Sequence, residues 1–389
     1  MSTFFDVISE RLAAVNRHAP PASRTKQFHC ACGHAVFMDN TQCLACGAQL
    51  AFFPDRGEVL AIMPAVPLVQ PPEDPVALER WTPMGAATSG LYRRCANLEM
   101  PAVCNWVMPD SDPYTLCLAC RLNRTIPDLS IPENGERWYK LESAKRRLVA
   151  QLLTMGLEVT PSIQPSDGGM MFDLLGPGPD GKLPMTGHDE GLITINVLEA
   201  DDHYRARLRE EMGEPYRTLL GHFRHEVGHY YWDRLILPTH WRPVFRQVFG
   251  DERTDYAEAL KVNYEQGPPA DWETRFISTY AACHPWEDWA ETWAHYLHMM
   301  DTLDTALSYG ISTHAVRPDY VPFTTDALYD PHASDAQEFL ELINAWVQLT
   351  SVLNELSRSM GLRDFYPFIL AREVVGKLQF VHRVVKNSS

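Results

Sequence analysis

Two histidines and a glutamate stand close together in the pentapeptide HEVGH at residues 225–229. On a helix, residues four apart lie on one face, so His225 and His229 can both reach one metal ion while Glu226 lies beside them. Two neutral imidazoles suit zinc, which lowers the pKa of bound water toward about 7, where an adjacent carboxylate can take its proton. The pattern therefore predicts a catalytic zinc site with His225 and His229 as ligands and Glu226 as general base.

The residues around the pentapeptide are typical of a buried helix. Leu219, Leu220, Phe223 and Val227 are apolar, and Gly228 would let another element approach closely. A catalytic zinc also needs a third protein ligand and an open coordination position. The helix must therefore pack against an element that supplies that ligand.

The third ligand can come from the segment HPWEDWAETWAHYLHMMDTLDTA at residues 284–306. Glu287 and Glu291 are four apart and share one helical face. Tryptophan and alanine residues flank them and predict a mostly buried helix, where a carboxylate requires a partner. Either glutamate can bind the metal, and the other can accept the second N–H of a metal-bound histidine.

Four further polar residues lie near these two segments. Asp233 follows the second histidine by four residues and fits either a supporting carboxylate or one half of a surface salt bridge. His222, three residues before the first histidine, fits a surface or supporting position better than a fourth ligand. His295 and His298 continue the glutamate-bearing helix, and we interpret them as core or supporting residues.

Hydrolysis through a tetrahedral intermediate needs a hydrogen-bond donor for the oxyanion. Tyr280, seven residues before Glu287, is the first candidate, and Tyr264 is the second; either can instead be a packing aromatic. Cys283 lies next to the start of the same helix, but no histidine and asparagine arrangement accompanies it. We therefore interpret Cys283 as an inert thiol.

Eight of the nine cysteines form two groups of four, Cys30, Cys32, Cys43 and Cys46, then Cys95, Cys104, Cys117 and Cys120. In a reducing compartment such clusters indicate metal ligation before disulfides. The Cys-Gly pairs of the first group allow tight turns that direct backbone N–H groups at sulfur. The short gap between Cys30 and Cys32 leaves room for His29 or His34 to replace one thiolate. We predict two separate structural zinc sites, in preference to one binuclear site or to free thiols.

The composition narrows the functional class. The chain has 389 residues, of which 45% are hydrophobic and 22% charged, as in a soluble globular protein of two or three domains. Its net charge of −16 disfavours a nucleic-acid partner. The basic residues around the second cysteine group are interpreted as a solvated face in preference to a binding patch: Arg93, Arg94, Arg121 and Arg124. Because no apolar run fits a membrane span or a signal peptide, we expect a cytoplasmic protein without membrane contact.

Apolar periodicity and turn residues predict the main elements. They predict helices over 2–16, 137–153 (with Asn134 as cap), 335–358 and 367–383, and strands over 170–175 and 192–198. The region between residues 200 and 385 is expected to be mainly helical. Six prolines between residues 63 and 83 predict a connector without regular structure.

Four stretches of the chain together resemble a known family. They are FHCACGHAVFMDNTQCLACG, CRLNRTIPDLSIPENGERWYKLESAKRRLV, GHFRHEVGHYYWDRL and HPWEDWAETWAHYLHMMDTLDTA. They resemble the bacterial zinc-binding metallopeptidases that carry an N-terminal zinc-ribbon region, and the last is also similar to the third-ligand helix of gluzincins. The resemblance implies Glu287 as third ligand, Glu291 as a carboxylate that steadies the histidine ligands, and Tyr280 as transition-state donor. The reverse assignment of the two glutamates stays open.

The resemblance also implies a fold, an α+β zincin-like metallopeptidase domain that is mainly helical with a small sheet. The predicted domains are an N-terminal helical segment (1–27), a first zinc-ribbon module (28–62), a proline-rich connector (63–91), a second four-cysteine module (92–130) and the metallopeptidase domain (131–389). The family is defined by its motif, so the resemblance leaves the substrate open.

We expect a zinc-dependent peptidase in which Glu226 activates zinc-bound water and then passes a proton to the leaving amine. One catalytic and two structural zinc ions are expected. A peptide or protein substrate would add to the edge of the strand at 192–198. The alternative is a binding or regulatory protein whose zinc ribbons recognise a protein or nucleic-acid partner, with the HExxH domain as a vestigial scaffold.

Overall fold

The computed structural model describes residues 3–16, 26–65, 79–85, 90–164, 167–212, 217–311, 316 and 321–388. The chain divides into two compact units. One, the cysteine-rich unit, holds the two cysteine groups, the long helix that follows them and a small sheet, and it ends at Tyr204. The other, the helical unit, holds the first helix, residues 155–157 and the chain from Arg205 onward.

In the described part of the chain, seven short strands make up the first part of the cysteine-rich unit. They are β1 (Phe28–His29), β2 (Ala35–Val36), β3 (Gln49–Phe53), β4 (Glu58–Pro64), β5 (Arg80–Pro83), β6 (Tyr92–Arg94) and β7 (Val107–Pro109). β1 and β2 form a hairpin, and β3 to β7 form an antiparallel sheet in sequence order. Alternate side chains of this sheet form a core: Ala51, Phe53, Ile62, Trp81, Tyr92 and Val107.

The sheet joins the two cysteine groups through part of the predicted connector. β5 pairs with β4 on one side and with β6 on the other. The missing N–H groups of Pro64 and Pro83 are tolerated because the next residue donates to the ladder in each case: Ala65 to the carbonyl of Arg80, and Met84 to the carbonyl of Ala61. Residues 66–78 and 86–89 of the predicted connector lie outside the described residues. In the described part, the position of each proline, and not the proline count, decides whether a strand can form.

A second sheet follows in the same unit. Its elements are α2 (Leu118–Arg121), β8 (Asn123–Thr125), α3 (Asn134–Thr154), β9 (Met171–Leu175), β10 (Gly187–Asp189) and β11 (Leu192–Asn196). The strand order is β10-β11-β9-β8, with β9 parallel to both β8 and β11. The predicted helix and both predicted strands are present, although Asn134 is the first residue of α3 itself.

The prediction that a peptide adds to the edge of the strand at 192–198 is wrong. β11 pairs with β10 on one side and with β9 on the other, so the strand at 192–196 is internal to its sheet. A strand whose backbone groups are used on both sides cannot accept an added peptide strand. The pattern LITINVL identifies a buried strand but carries no information about which neighbours it has.

Among the described residues, the helical unit is made mostly of helices. They are α1 (Phe4–Asn16), α4 (Asp202–Met212, which crosses the boundary between the units), α5 (Leu219–Leu235), α6 (Trp241–Val248), α7 (Tyr256–Gln266), α8 (Trp272–Arg275), α9 (Pro285–Ser308), α10 (Ala336–Ser359) and α11 (Arg372–Lys386). The predictions of helices near 2–16, 335–358 and 367–383 are confirmed, with α11 starting five residues later than predicted.

The first helix is anchored to the long helix α9. Its residues Phe5, Ile8 and Leu12 are buried. Arg11 is also buried, and its guanidinium donates to the carboxylate of Asp304 and to the hydroxyl of a neighbouring serine on α9. A buried ion pair of this kind needs both partners, because either charge alone would be costly to desolvate.

Among the described residues, no helix combines the length and the apolar character that a membrane crossing requires.

Candidate metal centre

Helices α5 and α9 approach each other closely at Gly228. A methyl group at Gly228 would lie 3.1 Å from the Cα of Ala290 and 3.2 Å from Cδ1 of Trp293. The indole N–H of Trp289 donates to the Gly228 carbonyl at 2.8 Å. The prediction that Gly228 permits the approach of another element is confirmed. This contact brings the HEVGH segment opposite the glutamates of α9.

Three ligand atoms converge where the two helices meet. Nε2 of His225 lies 3.0 Å from Oε2 of Glu287, and Nε2 of His229 lies 3.4 Å from the same oxygen. The two Nε2 atoms are 3.2 Å apart. Zinc bonds of about 2.0–2.1 Å in tetrahedral geometry place neighbouring ligand atoms about 3.3 Å apart. His225, His229 and Glu287 therefore fit one zinc ion in both donor type and spacing.

Glu291 lies behind the first histidine. Its Oε1 is 2.7 Å from Nδ1 of His225, and its Oε2 accepts a hydrogen bond of 2.6 Å from the hydroxyl of Ser278. Burial raises the pKa of Glu291, but the hydrogen bond and charge of His225 outweigh burial and bring that pKa down to about 2. A carboxylate at Nδ1 keeps the proton on that nitrogen and leaves Nε2 free for a metal. Of the two assignments left open by the sequence, this geometry favours Glu287 as ligand and Glu291 as support.

Glu226 is buried beside the histidines, with 7% of its surface exposed. Burial raises the pKa of its carboxyl group, and the neighbouring imidazoles offset part of that effect. A carboxylate whose pKa lies above the usual glutamate value is better able to accept a proton from water. Its environment suits the predicted role of general base.

Two tyrosines line the site from the chain that precedes α9. The ring of Tyr280 lies 5.9 Å from that of His225, and burial together with the charge of Glu287 raises the pKa of its hydroxyl. The hydroxyl of Tyr256 donates a hydrogen bond of 2.6 Å to Oε1 of Glu287. Tyr264 is mostly exposed. Sequence reasoning missed Tyr256 because its spacing from Glu287 follows no helical or strand period.

Three further residues were predicted near the metal site: Asp233, His295 and His298. Asp233 is half-buried on α5, and its role stays a prediction. His295 is buried with Nδ1 2.8 Å from the hydroxyl of Tyr366, and burial lowers its pKa to about 4. His298 contacts the guanidinium of Arg224. These contacts suit core residues better than metal ligands.

The thiol of Cys283 has an environment that opposes reactivity. Burial, and then the negative charges of Glu287 and Glu291, raise its pKa. A thiol that keeps its proton near neutral pH is a poor nucleophile. The interpretation of Cys283 as an inert thiol agrees with these surroundings.

The cysteines form the two groups of four predicted from the sequence. Sulfur atoms lie 3.6 Å apart in the pairs Cys30/Cys46 and Cys104/Cys117, and 3.8 Å apart in the pair Cys32/Cys43. Zinc–sulfur bonds of about 2.3 Å in a tetrahedron give a separation of about 3.8 Å. Each group therefore fits one zinc ion.

Local backbone geometry supports the first cysteine group. Gly33 and Gly47 are the glycines of the two Cys-Gly pairs. Their φ values of 87° and 77° lie in the region that favours glycine. The backbone N–H of Cys46 directed at Cys43 lowers the pKa of that thiol to about 6. His34 has Nδ1 3.6 Å from the sulfur of Cys32, but the four sulfurs already complete a tetrahedral set.

Sequence comparison agrees with this pair of features. Residues 134–384 match the family described as "Putative zinc-binding metallo-peptidase", and residues 27–131 match a zinc-ribbon domain. The chain belongs to this zinc-binding metallopeptidase family. Uncharacterized proteins of Mycobacterium bovis and Mycobacterium tuberculosis are each 38% identical to it over 362 residues, which cover 92% of this chain and 95% of theirs. No solved structure matches the chain significantly.

In this metallopeptidase family member, α3 places buried charges against the second cysteine group. Arg146 is 1% exposed and donates a hydrogen bond of 3.1 Å to the carbonyl of Ala102, two residues before a cysteine. Lys145 and Glu142 form a fully buried pair at 2.7 Å, with Glu142 4.0 Å from the sulfur of Cys120. Four thiolates around a bound Zn²⁺ would leave two negative charges; because the Lys145–Glu142 pair is neutral overall, Arg146 is the buried cation that would offset them. The helical pattern of 137–153 predicted the helix but not this charge contact.

The arginines around the second cysteine group are paired with acids. The pairs are Arg93 with Asp110 at 3.6 Å, Arg94 with Glu99 at 3.7 Å, Arg121 with Asp112 at 3.4 Å, and Arg124 with Asp173. Arginine that is already neutralised releases fewer counterions from a nucleic acid. The pairing disfavours a nucleic-acid patch, but Arg93 is buried with 8% of its surface exposed, so the prediction of a solvated face is wrong for that residue.

Proposed function

We propose that this protein is a zinc-dependent peptidase of the zincin class with a gluzincin ligand set. The observation that carries the proposal is the convergence of His225 Nε2, His229 Nε2 and Glu287 Oε2 within 3.0–3.4 Å of one another. Three protein ligands leave one coordination position open, which distinguishes catalytic from structural zinc sites.

The roles of the residues follow from their surroundings. His225, His229 and Glu287 would hold the zinc ion. A zinc ion in such a site supplies Lewis acidity, which polarises a carbonyl and makes water nucleophilic near neutral pH. Glu226 takes a proton from the attacking water on its carboxylate and delivers it to the nitrogen of the leaving amine.

Tyr280 is proposed as the donor to the oxyanion. Its raised pKa keeps the hydroxyl protonated, which a hydrogen-bond donor requires. The proximity of its ring to His225 supports this role.

We further propose three zinc ions per chain, one catalytic and two structural. The two four-cysteine groups support the structural pair. Eight thiols arranged for metal binding must stay reduced, which supports the proposed cytoplasmic location. Metal analysis of the purified protein measures the zinc content directly; a content of two, held by the cysteines alone, would contradict the catalytic assignment.

The test of the activity compares new protein N-termini in cells that contain either the wild type or Glu226→Gln. The wild type is expected to generate N-termini that the variant does not, while both retain the same metal content. Equal sets of N-termini from two fully metal-loaded proteins would contradict a peptidase.

A second candidate function is protein binding by the zinc-ribbon domain. Leu44, between two ligands of the first group, is 100% exposed, and Phe37 is 66% exposed. Apolar side chains held out by a rigid metal-bound turn are suited to contact another protein. In a pull-down with full-length Glu226→Gln, a specific partner is expected to be lost when Phe37→Ser and Leu44→Ser are combined. Retention of every captured protein would contradict this function.

A further inference from the structure

The first residue of α7 contacts the candidate metal centre although the helix itself is superficial. No side chain of α7, which is described over its full length, is buried. Its first residue, Tyr256, packs edge-on against His284 with ring centroids 5.2 Å apart and against Trp286 with centroids 5.8 Å apart. Its hydroxyl lies 2.6 Å from Oε1 of Glu287. Packing of the helix therefore does not explain why this hydroxyl meets a buried carboxylate.

The two oxygens of Glu287 face different partners. Oε1 accepts the hydrogen bond of Tyr256, whereas Oε2 faces both Nε2 atoms of the histidines. The side chain is 1% exposed, so water does not compete for these positions. This hydrogen bond occupies a lone-pair position of Oε1, and carboxylates that bind metals are commonly held in place by such a bond. Glu287 is thereby prepared to offer a metal one oxygen.

Two hydrogen bonds made by the residues just before Tyr256 hold the start of α7. The carboxylate of Asp255 accepts from the backbone N–H of Glu258 at 3.0 Å and caps the helix. Nε2 of His284 lies 3.2 Å from the carbonyl oxygen of Thr254. His284 also caps α9, since its Nδ1 accepts from a backbone N–H in the first turn. One histidine thus links the residues that carry Tyr256 to the helix that carries Glu287.

We propose that Tyr256 is a positioning residue for the metal: its hydroxyl holds Oε1 so that Glu287 binds through Oε2 alone and one coordination position stays open. The inference rests on the proposed zinc site, and it does not depend on peptide hydrolysis. Without the hydroxyl, both oxygens can turn toward the ion, which fills or distorts the open position.

The experiment uses the full chain and Co²⁺ as a probe of coordination. With zinc kept in the cysteine groups, the candidate site is emptied with dipicolinate and refilled with Co²⁺, and Glu287→Ala provides the spectral blank. Tyr256→Phe removes the hydroxyl and keeps the ring. Tyr309→Phe, at an exposed position just after α9, removes a hydroxyl remote from the contact. Visible absorption and metal competition are measured for each protein.

Tyr256→Phe is expected to bind metal about 10- to 100-fold more weakly. Its Co²⁺ bands are expected to weaken, because a higher coordination number lowers ligand-field intensity. A merely structural role would not change that spectrum, and Tyr309→Phe should match the wild type in both measurements. Unchanged affinity and spectrum in Tyr256→Phe would overturn the inference while leaving the zinc site intact. A wild type that takes up no Co²⁺ above the Glu287→Ala blank would overturn the proposed function as well.

Discussion

Oε1 of Glu291 lies 2.7 Å from Nδ1 of His225, on the side of the ring away from the nitrogen that faces Glu287. The carboxylate fixes the tautomer and the rotation of the imidazole, and Ser278 in turn holds the carboxylate. A ligand whose orientation is set before the metal arrives loses less entropy on binding.

The first prediction concerns this contact. Glu291→Gln should weaken zinc binding at the candidate site about 10- to 100-fold, because an amide is a much weaker acceptor than a carboxylate. Competition with a chromogenic chelator measures the affinity. Glu273→Gln, on the exposed surface of α8, is the matched control and should bind zinc as the wild type does. Equal affinities for all three proteins would show that Glu291 does not support the ligand.

A second prediction tests the close contact of α5 with α9. Gly228→Ala would place a methyl group 3.1 Å from a backbone atom of Ala290, and backbone cannot move aside as a flexible side chain does. We expect a loss of about 1–3 kcal/mol in the free energy of unfolding, together with weaker metal binding as the ligands separate.

Gly376→Ala, in helix α11, is the control for the glycine contact because its nearest neighbours would be 3.4 Å away. Chemical unfolding of the helical unit compares the variants. A Gly228→Ala protein as stable as Gly376→Ala, with metal affinity unchanged, would mean that the helices tolerate a wider separation.

The third prediction concerns the charge behind the second cysteine group. Burial lowers the pKa of Arg146, but nearby Cys104 and Glu142 more than compensate, so the guanidinium stays charged. Arg146→Gln should destabilise the cysteine-rich unit by about 3 kcal/mol and speed chelator-induced zinc release, because negative charge is left buried without its cation. Arg147→Gln changes the adjacent, exposed arginine and should do neither. Identical zinc-release rates in the two variants would contradict the idea that Arg146 offsets the negative charge of the second cysteine group.

The fourth prediction is a dependence of stability on pH through His382. This residue is buried among Phe5, Tyr296 and Phe339. Burial, followed by the charge of Lys386, lowers its pKa from 6.5 to about 4. The unfolded chain therefore binds a proton at His382 before the folded chain does, and stability falls as pH drops from 6.5 toward 4.

Between pH 6.5 and 5 this single group should cost about 2 kcal/mol of unfolding free energy. In His382→Gln that cost is absent, so the stability gap between wild type and variant should narrow as pH falls. Urea unfolding at pH 7 and pH 5 measures the gap, and His332→Gln, at an exposed site, controls for the loss of a histidine. A gap that is constant with pH would exclude His382 as the source.

Much of the candidate site can be read from local spacing. Because helical residues four apart share a face, the HEVGH and EDWAE segments each predict a pair of groups on one side of a helix. The cysteine groups can be predicted in the same way, since their ligands lie within short stretches of chain. The relation between segments is different. Whether Glu287 or Glu291 faces the histidines depends on how α9 is rotated against α5, and the tight contact at Gly228 fixes that rotation.

The sequence by itself determined which residue types are available for metal binding, which helices carry them and that the cysteines divide into two groups. Only the tertiary structure decided that Tyr256 and Ser278 hold the two glutamates, that α3 places Arg146 behind the second cysteine group, and that β11 is internal to its sheet. The reason is physical. Periodicity reports which face of an element is buried, whereas a hydrogen bond or strand pairing between distant segments depends on the packing of the whole unit, which no local pattern encodes.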